Sequence, residues 1–155
     1  MDTNFLADIH PKVVHFPVAL LTTYSILEIV GIITNKEFIS RTALLILCFG
    51  VLTAFFAVLT GDQAASNFLF WTDESGALLS DHKLFATYLV WFSSFVLAFR
   101  IYLTIKKRFI GKIKFLCLIF ALVILFFVAQ AGLYGGDLVK KFGIGTDLYQ
   151  NRESE

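Results

Sequence analysis

Three histidines carry the candidate chemistry of this chain. His10, His15 and His82 each stand near the start of an apolar stretch, and two glycine–acid steps, Thr60-Gly61-Asp62 and Gly135-Gly136-Asp137, close others. Neutral imidazole is the commonest metal ligand and also holds haem iron. Two imidazoles from facing helices can occupy both axial positions of haem b, and glycines let a flat macrocycle approach the backbone. That reading selects His15 and His82, with His10, Gly61, Gly135 and Gly136 around them. A second reading gathers His10, His15 and His82 with Asp62 and Asp137 about copper or zinc, since imidazole and carboxylate suit those ions. The carboxylates could instead orient the imidazoles from behind. A third reading needs no cofactor: the polar face is a scaffold that docks a periplasmic partner.

Spacing near the N-terminus narrows the roles. In Ile-His-Pro-Lys-Val-Val-His-Phe-Pro, residues 9–17, Pro11 suits a first helical turn, where its missing N–H costs nothing. The residue before a proline is pushed towards extended backbone, so His10 is expected just outside the helix. His15 then lies about 6 Å deeper at about 1.5 Å per residue. Pro17 takes away the hydrogen bond to the Val13 carbonyl. With Ser80 or Asp81 as N-cap, His82 falls in the first turn of its helix, which makes His15 and His82 the best-matched pair.

The elements that must position these groups are membrane spans. The chain has 155 residues, 57% hydrophobic and 16% charged, with a net charge of +1 and a mean hydropathy of +0.76. A soluble domain of this size could not hide that much apolar surface. No basic excess points to nucleic acid, and the acidic, polar N-terminus does not read as a cleaved leader. Four apolar runs stand out: Val13–Thr34, Ala43–Thr60, Leu84–Phe99 (extendable to Ile105 if Arg100 snorkels to the headgroups) and Phe115–Gly136. About 20 apolar residues cross a bilayer as a helix, and lipid cannot satisfy an open backbone. The expectation is an all-α, four-helix integral membrane bundle. It forms a single domain over residues 1–155, with helices at about 12–34, 42–61, 82–105 and 114–136.

Lysine and arginine set the expected orientation. Arg100, Lys106, Lys107, Arg108, Lys112 and Lys114, with Lys36 and Arg41, fall on one side. Lys12, Lys83, Lys140, Lys141 and Arg152 fall on the other. The positive-inside rule then puts both termini and the 61–81 connection on the non-cytoplasmic side, with all three histidines. Trp71 with Phe68, Leu69 and Phe70 reads as an interfacial piece of that connection. The hairpins also repeat weakly, His15 to Asp62 and His82 to Asp137, like the parallel repeats of some transporters.

Other residues read more plainly. Glu28 is an intramembrane acid that could snorkel, pair with Arg100 or Arg41, or relay protons. Cys48 and Cys117 lack CxxC spacing and read as small packing residues. Gly50, Ala54 and Ala57 form a small-residue stripe that would serve either a homo-oligomer or internal packing. No serine or cysteine nucleophile accompanies the histidines in a recognisable motif, and the sequence leaves open whether the chain is an enzyme.

IHPKVVHFPVALL, TGDQAA, the histidine at 82 and GLYGGDLVKKFGIG together resemble the predicted membrane proteins of domain-of-unknown-function family 2231 over about residues 8–145. His10, Pro11, His15, Phe16, Pro17, Gly61, His82, Gly135, Gly136 and Leu138 match its pattern, with Asp137 in the acidic slot. The resemblance implies that these residues form one site. It also implies a layout similar to mono-haem and di-haem membrane cytochromes, in a bacterial inner membrane. With no histidine near the cytoplasmic face, a second haem is not expected.

Overall fold

The computed structural model describes residues 5–67 and 71–144. Among these it contains five helices and no strand: α1 (Phe5–Val13), α2 (His15–Ile33), α3 (Glu37–Asn67), α4 (Asp73–Ile105) and α5 (Lys112–Phe142). α1 and α2 run on as one span, so four helices are long and apolar enough to cross a membrane. Their outward faces carry Ile33, Phe38, Leu45, Leu59, Phe115 and Leu133 in the open. In water that surface would be a large sticky patch, and in lipid it is the expected coat.

Each span is longer than its apolar run. α4 begins nine residues before His82, because Thr72 and Ser75 form a reciprocal capping box: the Ser75 N–H donates to the Thr72 hydroxyl (3.2 Å) and the Thr72 N–H to the Ser75 hydroxyl (3.0 Å). The Ser80 or Asp81 cap is therefore wrong, and His82 lies in the third turn. α5 continues through Gly135 and Gly136 and ends at Gly143, whose left-handed backbone (φ 69°) suits a residue without a side chain. α1 begins at Phe5, so His10 lies inside a helix and not before one. The only interruption is at Val14, which keeps helical dihedrals (φ −62°, ψ −24°). Pro17 lacks the N–H that would close the turn on Val13. The interfacial residues Phe68, Leu69 and Phe70, and Arg152, lie outside the described residues.

The core joins Leu21 and Tyr24 of α2, Ala43, Leu47, Val51 and Ala54 of α3, Leu89, Val90 and Val96 of α4, and Ile124 and Val128 of α5. The small-residue stripe turns inward: a Cβ on Gly50 would lie 2.7 Å from Leu21, and Ala54 is buried. Gly31 lies against the Ser40 backbone, with 3.1 Å left for a Cβ, so α2 and α3 cross tightly at their connected ends. Cys117 is buried and Cys48 half-buried, both as free thiols.

Arg100 does not snorkel. It is 2% exposed and paired with Glu28, which is fully buried. Its Nε stands 2.8 Å from Glu28 Oε1, and its Nη2 donates to Glu28 Oε2 at 3.2 Å. The same Nη2 donates to the Ser40 hydroxyl (2.9 Å) and carbonyl (3.3 Å), and the Phe109 ring covers the guanidinium at 3.8 Å. One side chain thus fastens α2, α3, α4 and the α4–α5 connection. Breaking a buried pair strands the surviving charge, which costs about 3–5 kcal/mol. Arg100→Ala should lower unfolding stability in detergent by that order. A Glu28→Leu/Arg100→Met double variant should recover most of the loss.

Candidate functional site

The polar ends of the helices meet at the end of the bundle opposite the α2–α3 and α4–α5 connections. His10 reaches from α1 to α3, where its ring covers Gly61; a Cβ there would lie 2.8 Å from the imidazole Cε1. His82 reaches from α4 to α5 and covers Gly135 in the same way, with 3.0 Å left for a Cβ. The two contacts are equivalent: an imidazole of the first span of each hairpin lies on a glycine of the second. Both rings are half-buried, and they are near enough that a charge on one acts on the other.

Their hydrogen bonds determine the tautomers. His82 Nδ1 lies 2.9 Å from the Ala131 carbonyl, which can only accept, so Nδ1 carries the proton. His10 Nδ1 lies 3.0 Å from the Thr60 hydroxyl. That hydroxyl spends its single hydrogen on the carbonyls of Phe56 (3.0 Å) or Ala57 (3.1 Å), so it accepts from His10. In both imidazoles the basic lone pair is therefore on Nε2, and among the described residues nothing hydrogen-bonds to it. An imidazole whose Nδ1–H is held by a carbonyl or hydroxyl and whose Nε2 is bare has the arrangement of a ligating histidine.

The other expected members are elsewhere. His15 is exposed on the outer surface of α2, so His10 and His82, not His15 and His82, form the matched pair. The repeat is correspondingly His10 with Gly61 and His82 with Gly135. Asp62 pairs with Lys83 at 3.0 Å, tying α3 to α4 beside His82, and Asp137 pairs with Lys141 one turn along α5 at 2.9 Å. Among the described residues no three His, Cys, Asp or Glu side chains come together as a metal-holding group. Gly136 faces open space and bears no contact to either imidazole. Beside His82, the Phe85 ring stacks on Tyr134 (5.4 Å between centroids, 14° between planes) and walls off the α4–α5 side. Sequence reasoning gave no role to Thr60, although it precedes Gly61 in the motif, and no side-chain pattern could reveal the Ala131 carbonyl.

The adjacent glycines of α5 supply a test of this packing. Gly135→Ala should push the His82 ring aside and cost about 1–3 kcal/mol, the usual range for overpacking. Gly136→Ala should be neutral or stabilise by up to about 1 kcal/mol, because alanine is the better helix former. Thermal unfolding of the two variants side by side checks this.

A family model described as "Predicted membrane protein (DUF2231)" matches residues 7–148. No curated protein and no solved structure matches the chain. The match covers nearly the whole sequence, and the chain belongs to that family.

Proposed function

We propose that this DUF2231 member is a membrane-embedded electron-transfer module that holds haem b through Nε2 of His10 and Nε2 of His82. The observation that carries the reading is the pair of Nδ1-protonated imidazoles, each fixed on a glycine and each with an Nε2 that makes no hydrogen bond among the described residues. Two neutral imidazoles and no carboxylate would suit haem iron better than zinc, which takes four ligands in a structural site. The residues fit the group in a second respect: aromatic rings Phe85 and Tyr134 give it an apolar wall. Bound there, haem would accept and release single electrons. The protein's own part is to orient both imidazoles through Thr60 and Ala131 and to exclude water on the bundle side.

The charge distribution supports the placement. Lys36, Arg41, Lys106, Lys107, Arg108, Lys112 and Lys114 flank the connections at the far end, so that end belongs in the cytoplasm and the histidines face the periplasm of a bacterial inner membrane. A periplasmic redox protein is the natural electron partner. The metal reading draws on the same two lone pairs: copper(I) is content with few soft or nitrogen ligands.

An absorption spectrum of the detergent-purified protein, with metal analysis, tests this. A Soret band that disappears in His10→Ala and in His82→Ala but persists in His15→Ala is expected. Thr60→Val removes only the acceptor behind His10 and should weaken haem binding by about 10–100-fold. Colourless protein with stoichiometric copper or zinc would transfer the site to a metal ion. Colourless, metal-free protein would leave a scaffold.

A further inference from the structure

We propose that the groove lined by Tyr88, Trp91 and Phe92 of α4 and Phe127 of α5 binds the ring of a membrane quinone. The groove has a volume of about 440 Å³ and opens towards the lipid. Positions 88, 91 and 92 share one face of the helix. The groove is shallow and open, and the Phe127 ring lines it with its centroid 6.0 Å from Tyr88 and 5.8 Å from Phe92.

Two groups in this groove are in the wrong place for ordinary lipid packing. Trp91 is 67% exposed and Tyr88 49%. Tryptophan and tyrosine in membrane proteins gather at the interfaces, where their polar ends meet water. Here Trp91 sits at the middle of the uncharged run Leu84–Phe99, eight residues from Lys83 and nine from Arg100. Neither the Tyr88 hydroxyl nor the Trp91 indole N–H has a hydrogen-bond partner among the described residues. Donors left bare in hydrocarbon cost free energy that an acceptor would recover.

The occupant must therefore be soluble in the bilayer, flat enough to lie among four aromatic rings, and equipped with acceptors. Acyl chains bring no acceptor to this depth. A second copy of this chain related by a twofold axis would bring one acceptor, the Tyr88 oxygen, for every two donors, and so would leave the set short of acceptors. A quinone ring has a conjugated face for the aromatics, carbonyl oxygens for the two donors and an isoprenoid tail for the lipid. Tyr88 lies six residues along α4 from His82, about 9 Å at about 1.5 Å per residue. The binding itself does not depend on haem; only the use of the quinone as an electron partner rests on the proposed function.

Full-length protein carrying Trp71→Phe leaves Trp91 as the sole indole. Titrating it in nanodiscs with a short-tailed benzoquinone should quench the Trp91 emission to saturation. Tyr88→Phe should weaken that binding by about tenfold, the effect of one lost hydrogen bond in apolar surroundings. Repeating the titration with His82→Ala added should give the same binding, which separates this claim from the haem site. Quenching that rises linearly with quinone in the lipid and ignores Tyr88→Phe would mean simple partitioning and overturn the proposal. So would a Trp91 shielded from both quinone and bromine-labelled acyl chains, since a second copy would then cover the face.

Discussion

The bilayer imposes one constraint on this chain: a charge within it must be compensated inside the bundle. Arg100 obeys most visibly. Its guanidinium is surrounded by Glu28, Ser40 and the Phe109 ring, and those contacts hold three spans and a connection at one end. In such surroundings a charge interacts far more strongly than in water, and leaving it alone is correspondingly expensive. At the opposite end the paired groups are neutral. His10 and His82 each spend one nitrogen on the neighbouring helix, which fixes the rings and leaves the other nitrogen basic. The apolar core between these two polar layers sets how far apart they stand.

Much of this architecture was legible in the sequence because lipid simplifies the problem. Four apolar runs of the right length can only be helices, and the structure has four such spans. Their boundaries were harder to read. The pattern of hydrophobicity stops where the lipid stops, but hydrogen bonding carries helices beyond it. Thr72 and Ser75 start α4 well outside the apolar run, and Gly143 ends α5 after it. The glycines at 135 and 136 look like a helix end and instead provide close approach within one.

The site was legible in its residue types and its end of the bundle, less so in its pairing. His15 lies inside an apolar run, which makes it look more committed than His10; rotation about the helix axis, invisible without neighbours, turns it outward. His10 looked like a loop residue only because a proline follows it. Arg100 was read as reaching for the headgroups because the sequence does not show that Glu28, seventy-two positions away, arrives at the same height.

The interruption at Val14 has a mechanical consequence. His82 belongs to a continuous helix of 33 residues, while His10 belongs to a nine-residue segment joined to its span between two prolines. One imidazole is mounted on a continuous rod and the other on a short lever whose joint lacks the backbone hydrogen bond that Pro17 cannot make. A shift of Phe5–Val13 along α3 would carry the His10 ring with it and leave His82 where the long helix holds it.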